Sequence, residues 1–128
     1  MTTVAIEPLA LDNFSIVPSW EGSTLRIVFS GNADMDARVA LEAFVKRLNG
    51  QVLAAKLKRV VCDMRDLYFM NSACFKCLVQ WIDSIVKSDV EQQYSLSFIK
   101  NPKMPWQARS LESLRHFGPA IVLIKIEP

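Results

Sequence analysis

The sequence is poor in the residues on which metal sites, disulfide frameworks and phosphate-binding loops depend. Its 128 residues include one histidine, three cysteines and four glycines. The cysteine count is odd, and the spacing of the cysteines relative to His116 matches none of the usual zinc patterns. No two glycines lie close enough together to form a phosphate-binding loop. We therefore expect no metal, no cofactor and no catalytic residue.

Charge and hydropathy exclude two further classes of protein. The formal net charge of +2 at pH 7 is close to neutral, whereas a nucleic-acid binder has a strongly basic stripe. No apolar run approaches the roughly 20 residues that cross a bilayer, and residues 1–7 lack the basic start and long apolar stretch of a signal peptide. We expect a cytoplasmic protein that inserts into no membrane and binds no nucleic acid.

The order of apolar runs and turn residues predicts strands and helices that alternate along the chain. Residues 1–13 show no clear period, and we interpret them as an N-terminal arm or a short edge strand, followed by a single domain over residues 14–128. Within that domain we predict strands at 14–20, 24–30, 59–64, 93–99 and 120–126, and helices at 37–57, 72–86 and 106–116. Such alternation indicates an α/β fold with helical crossovers.

The functional surface of such a sheet usually lies where strands end and helices begin. The first junction is Gly31–Asp36, in which residues 31–34 are predicted to end the second strand. The second is Asp66–Phe75, which leads from a loop predicted over residues 65–71 into the second helix. Asp34 or Asp36 can cap the helix after the first junction, and Ser72 can cap the helix after the second. These two junctions are therefore the candidate site.

The segment from Val60 to Phe75 is the most informative part of the chain. It reads Val-Val-Cys-Asp-Met-Arg-Asp-Leu-Tyr-Phe-Met-Asn-Ser-Ala-Cys-Phe. It resembles the signature of STAS domains of the anti-sigma factor antagonist family, in which a buried strand ends in an acidic turn and leads through a Met-Asp-Ser-Ser-Gly-like motif into a helix. Residues 27–34 resemble the family's strand followed by Gly-Glu-Leu-Asp, and residues 110–118 resemble its last helix and closing glycine.

The resemblance implies a STAS-like α/β fold, with a mixed, mainly parallel sheet of about five strands and helices packed mainly on one face. It also implies a non-enzymatic module that acts by protein–protein contact. In the antagonist branch of the family, a GHKL-type serine kinase that is also the anti-sigma factor phosphorylates the first serine of the motif, which ends the interaction. Ser72 occupies that position, and a PP2C-type phosphatase is the second partner implied.

The same resemblance places the partner contacts at the two junctions, on Asp34, Asn71, Ser72, Ala73, Cys74 and Phe75. Three of these positions depart from the family pattern. Asn71 replaces the acidic residue, Ala73 replaces the second serine, and Cys74 replaces the glycine. Asn71 keeps a capping acceptor without the charge, and Cys74 adds a side chain where the family has bare backbone.

Two other functions stay open from the residues alone. A STAS module can be a constitutive subunit of a transporter or signalling assembly, and Ser72 would then be a plain helix N-cap. Cys74 and Cys77 form a Cys-x-x-Cys motif at a helix start, where the dipole lowers a thiol pKa, and this arrangement is typical of a redox dithiol. In the other interpretation of the motif, both cysteines are small, half-buried helix residues.

Overall fold

Strands and helices alternate along residues 5–127, the part of the chain that the computed structural model describes. Within that range there are six β-strands and three α-helices. The strands are β1 (Leu9–Ala10), β2 (Phe14–Glu21), β3 (Thr24–Ala33), β4 (Arg59–Met70), β5 (Ser95–Ile99) and β6 (Val122–Lys125), and the helices are α1 (Arg38–Ala55), α2 (Ser72–Val86) and α3 (Pro105–Ser113). Residues 1–4 of the predicted arm and residue 128 of the predicted domain lie outside the described residues.

All six strands form one sheet in which strand order follows chain order. β1, β2 and β3 pair antiparallel, and β3, β4, β5 and β6 pair parallel. Each connection between two neighbouring parallel strands contains one α-helix, and crossover connections of this kind are right-handed. Successive steps in one direction therefore put α1, α2 and α3 on the same face. The predicted α/β fold, with a mixed, mainly parallel sheet and helices on one face, is confirmed.

The core lies between that face of the sheet and the helices. In β3, the alternate residues Leu25, Ile27 and Phe29 are buried, as expected for a strand with one face on a core. The helices contribute apolar side chains at spacings of three and four residues, among them Leu41, Phe44, Leu48, Leu78, Ile82 and Ile85. Both periods are visible in the sequence, which is why the order of elements is predictable.

Gly31 bends β3 and does not end it, so the strand end predicted at residues 31–34 is wrong. β3 continues to Ala33, with shifts of the β3–β4 register on both sides of the glycine. Gly31 has a φ of +94°, and a Cβ at this position would lie 2.1 Å from the carbonyl oxygen of Asn13. Glycine alone accepts both the dihedral angle and the close approach.

The loop predicted over residues 65–71 is also wrong, because β4 runs to Met70. Its additional residues pair with the extended end of β3, where Phe69 lies opposite Asn32 and Met70 opposite Ala33. β5 pairs with β4 only as far as Asp63. The second half of β4 therefore has a neighbouring strand on one side only.

A buried glutamine takes the place of the missing strand on the other side. Gln107 of α3 is fully buried, and its Nε2 donates to the carbonyl oxygens of Met64 at 2.7 Å and Leu67 at 3.0 Å. Its Oε1 accepts from the Asn101 N–H at 2.7 Å, and the Asn101 side chain donates to the Arg65 carbonyl oxygen at 3.1 Å. Buried backbone carbonyls need partners, so these bonds attach α3 to the end of β4.

Replacing Gln107 with leucine is expected to destabilise the domain by about 2–3 kcal/mol, because two buried carbonyl oxygens lose their donor while the volume is nearly kept. Urea unfolding followed by circular dichroism measures the change. Gln92→Leu is the matched control, since Gln92 is exposed, and should change the free energy of unfolding by less than about 0.5 kcal/mol. Equal losses in the two variants would contradict the role given to Gln107.

Candidate functional site

The two predicted junctions meet at one end of the sheet. β3 and β4 end side by side, and the Asn71 N–H donates to the Ala33 carbonyl oxygen at 2.9 Å. One residue further along the first junction, the Asp34 carbonyl oxygen accepts from the Cys74 thiol at 3.3 Å. The start of α2 is therefore bonded directly to the end of β3. The structure brings Asp34 and the segment from Asn71 to Phe75 together.

Asn71 is the N-cap of α2, so the prediction that Ser72 caps this helix is wrong. The Asn71 side-chain oxygen accepts from the Cys74 N–H at 2.8 Å, and its carbonyl oxygen accepts from the Phe75 N–H at 2.9 Å. Caps of this kind contribute about 1 kcal/mol. The neutral amide of Asn71 therefore caps α2 one position before the serine.

Ser72 is the first residue of α2 and is exposed. Within residues 5–127 its hydroxyl group makes no hydrogen bond to another residue. The first amides of a helix have no intrahelical acceptor, and the helix dipole places partial positive charge at the same point. The Ser72 hydroxyl group is thus accessible, free of a structural role, and set where an anionic substituent is electrostatically favoured.

Asp34 shapes the other junction. Its carboxylate accepts from the Asp36 N–H at 3.1 Å, and its carbonyl oxygen accepts from the Ala37 N–H at 3.0 Å. These bonds cap the short 3₁₀ turn over Met35–Ala37 that leads into α1. The Asp34 side chain is half-buried, so the carboxylate is partly available at the surface while it holds this turn.

Large, exposed apolar side chains flank the two junctions along the chain. Met35, Val39, Tyr68 and Phe69 are 67%, 66%, 61% and 48% exposed, and we call these four residues the apolar surface. Met35 lies in the turn before α1 and Val39 lies in the first turn of α1. Tyr68 and Phe69 lie near the end of β4, just before Asn71. None of the four is among the site residues predicted from the sequence, although the apolar run Tyr68-Phe69-Met70 within a predicted loop is a signal for two of them.

The remaining predicted contact residues differ in accessibility. Ala73 and Phe75 are half-buried, and Phe75 packs against the core with part of its ring. Cys74 is fully buried. The prediction that its side chain contacts a partner is therefore corrected: Cys74 joins the two junctions from the inside and does not reach the surface.

Both cysteines of the Cys-x-x-Cys motif are buried thiols. The Cys74 thiol donates to the Asp34 carbonyl oxygen, and the Cys77 thiol donates to the Ala73 carbonyl oxygen at 3.6 Å. Burial raises the pKa of Cys74 to about 11 and also raises the pKa of Cys77. A redox dithiol needs the opposite shift, because the thiolate is its nucleophile, so this environment opposes the redox function.

Neither a metal-binding cluster nor a membrane-spanning helix is found among the described residues. Over residues 5–127, no group of three or more histidine, cysteine, aspartate or glutamate side chains is arranged to hold a metal ion. In the same range, no helix is both long and apolar enough to span a bilayer.

The arrangement of strands, helices and junctions has a known counterpart. The structure is similar to that of an anti-sigma factor antagonist from Mycobacterium paratuberculosis, with a TM-score of 0.60, over 89% of this chain and 88% of that chain, at 20% sequence identity. The chain has the STAS fold. No family model and no curated protein sequence matches the chain, and at this identity the structural similarity shows the fold alone.

Within this STAS fold the sequence motif and the geometry agree on one location. The residues that resemble the family signature, Met70 to Cys74, lie at the junction of β4 and α2. Asp34 lies beside them at the junction of β3 and α1. The candidate site therefore comprises Ser72, the half-buried residues Asp34, Asn71, Ala73 and Phe75, and the apolar surface.

The Cys74 thiol is expected to resist alkylation in the folded protein until the pH approaches 11, because its pKa is raised from 9.0 to about 11. Well below pH 9 the thiol is protonated in both the folded and the unfolded state, so the shift does not affect stability there. Above pH 9 the unfolded thiol ionises first, and the stability of the fold decreases as the pH rises towards 11.

Iodoacetamide labelling, mapped by mass spectrometry across this pH range, measures the accessibility of the thiol. The urea-unfolded protein is the control, since it should react at the rate of an ordinary cysteine. Rapid labelling of Cys74 near neutral pH in the folded state would show that the thiol is accessible, and would favour the redox function.

Proposed function

We propose that this chain is a cytoplasmic, non-enzymatic interaction module that binds a partner protein through the candidate site and is switched by phosphorylation of Ser72. The partner is a serine kinase of the GHKL type that also acts as an anti-sigma factor, and a PP2C-type phosphatase reverses the modification. The observation that carries the proposal is the apolar surface, whose residues flank the two junctions along the chain, together with an accessible serine at the start of α2. The STAS fold, shared with an anti-sigma factor antagonist, supports the same function.

The apolar surface supports binding of a protein partner. Contiguous exposed apolar groups on a monomer mark interaction sites, because water contact with them is unfavourable. Tyrosine and methionine are enriched in protein interfaces, and tyrosine is frequent among the residues that contribute most of the binding energy. Tyr68 and Met35 are the most exposed aromatic and thioether side chains of this surface, at 61% and 67%.

The position of Ser72 supports a switch that leaves the fold intact. Asn71 already caps α2, so modification of Ser72 removes no structural hydrogen bond. A phosphate group at the first helical residue is stabilised by the free amides and the helix dipole. It also lies one helical turn from Lys76, at a spacing that allows an ion pair.

Phosphorylation would change the binding surface through charge. A phosphate group adds about −1.5 to −2 charges at pH 7. Asp34 and Asp36 lie at the adjacent junction, so the added charge would enlarge an acidic area next to the apolar surface. Desolvating that charge in an apolar contact is unfavourable, and the partner is expected to dissociate.

Tyr68→Ala is expected to weaken partner binding about tenfold or more, because it removes a large interface side chain. The partner is first obtained as the protein that co-purifies with the tagged full-length chain, and its affinity is then measured by calorimetry. Val90→Ala is the matched control, since Val90 is 82% exposed but follows the C-terminal end of α2. Equal affinity of the two variants would contradict a binding role of the apolar surface.

Ser72→Asp is expected to weaken partner binding while the thermal unfolding temperature stays near that of the wild type, since an acidic residue is favoured in the first helical turn. Ser84→Asp is the matched control, because Ser84 is an exposed serine later on α2. Mass spectrometry of the chain after incubation with ATP and the co-purified partner should map phosphate to Ser72. Absence of phosphate at Ser72, together with unchanged binding by Ser72→Asp, would favour a constitutive subunit of a transporter or signalling assembly.

A further inference from the structure

The face of the sheet opposite the helices contains a pocket of about 180 Å³. Its floor is formed by Val61, Ser97 and Ile99, and its walls are formed by Arg26, Arg59 and Lys125. We call this cavity the sheet pocket. The floor residues are 7%, 1% and 1% exposed, although no helix of residues 5–127 covers this face, because long polar side chains stand around them. The sheet pocket is separate from the candidate site, which lies at the strand ends.

Positive charge is in excess beside the sheet pocket. Arg26, whose side chain is 15% exposed, donates from Nη1 to Asp63 Oδ2 at 3.1 Å. Arg65 already holds the same carboxylate with two bonds, from Nε at 3.0 Å and from Nη2 at 2.7 Å. Two guanidinium groups thus share one buried carboxylate. Arg59 and Lys125 add two cations that form no ion pair within residues 5–127.

Two carboxylates from the rim of the sheet pocket balance part of this charge. Glu127, beyond β6, accepts from Arg26 Nη2 at 2.8 Å, and its other oxygen lies 3.8 Å from Arg65 Nη2. Glu21, at the β2–β3 turn, accepts from Arg26 Nε. These carboxylate side chains are 35% and 57% exposed, and exposed ion pairs contribute little to stability. Ile126, next to Glu127, is 57% exposed, so apolar packing does not fix this segment over the pocket.

We propose that the sheet pocket binds a small phosphate monoester, whose phosphate group displaces the Glu127 carboxylate from Arg26 and gains contacts with Arg59 and Lys125. A phosphate dianion carries more charge than a carboxylate and offers three acceptor oxygens. Guanidinium groups bind such oxygens in pairs, and lysine binds them as a point charge. The ligand therefore makes stronger contacts than the side chain it replaces.

The remaining lining fits the rest of such a ligand. Thr24 and Ser97 line the sheet pocket with hydroxyl groups, which donate to phosphate or ester oxygens. Val61 and Ile99 give the floor an apolar part that suits the carbon atoms of a small ester.

Nuclear magnetic resonance titration of the ¹⁵N-labelled full chain tests the proposal, with inorganic phosphate and glycerol phosphate as probes. We expect saturable shifts confined to the strands around the sheet pocket, and binding of glycerol phosphate at least as tight as that of phosphate. Glycerol alone should cause no shift. Two results would overturn the proposal: no saturable shift with either probe, or the same shifts with sodium chloride at equal ionic strength.

Charge variants distinguish a specific site from general screening. Arg59→Gln should weaken phosphate binding about fivefold, the effect of one lost ion pair, and its fold should be unaffected because Arg59 is exposed and makes no bond to Asp63. Arg109→Gln, an exposed arginine on α3, should leave binding unchanged. Glu127→Gln should tighten binding by a similar factor, because the internal competitor loses its charge. Equal weakening by Arg59→Gln and Arg109→Gln, or no tightening by Glu127→Gln, would overturn the proposal.

Discussion

The pairing of β3 with β4 beyond the end of β5 is the constraint on which the rest of this structure depends. It carries both strands to the same end of the sheet, where the Asp34 carbonyl oxygen accepts from the Cys74 thiol in the first turn of α2. The pairing needs Gly31, whose conformation lets β3 bend past Asn13. It also needs Gln107, which satisfies the carbonyl oxygens that β5 leaves without partners. A surface for a partner thus rests on a backbone bend at Gly31, just before Asp34, and on a buried amide at Gln107, which is remote from the surface in sequence.

The order of elements is predictable from the sequence, whereas the strand ends are not. Period-two and period-3.6 patterns come from residues close together in the chain, so they indicate each element independently of the fold. The ends of β3 and β4 depend on contacts between distant segments, such as Gly31 with Asn13 and Gln107 with Leu67. Residues 65–71 begin with Arg65-Asp66 and end with Asn71, which are typical of a loop, although Tyr68 and Phe69 between them suit a strand. Nothing in this local sequence reveals the helix that supports the extended strand.

The location of the candidate site is likewise predictable from the sequence, whereas the roles of its individual residues are not. Its location follows from the signature-like motif and from the rule that strand ends form functional surfaces. The sequence does not show whether Asn71 or Ser72 caps α2, because both side chains can cap a helix and only the backbone geometry distinguishes them. Tyr68 and Phe69 resemble core residues by type, so exposure is what identifies them as surface. Cys74 belongs to the motif and is predicted from it to contact a partner, but the structure buries its side chain.

The sequential strand order has a consequence for how the chain acquires this structure. Because every strand pairs with the strand before it, no segment has to wait for a later one to be inserted between two strands already in place. Each parallel pairing still joins residues far apart in the chain, such as Leu25 and Val60, and pairing of this kind is intrinsically slow to form. The sheet can extend from the β2–β3 hairpin outwards, one strand and one helix at a time, and the α3 amide that secures the end of β4 arrives near the last step.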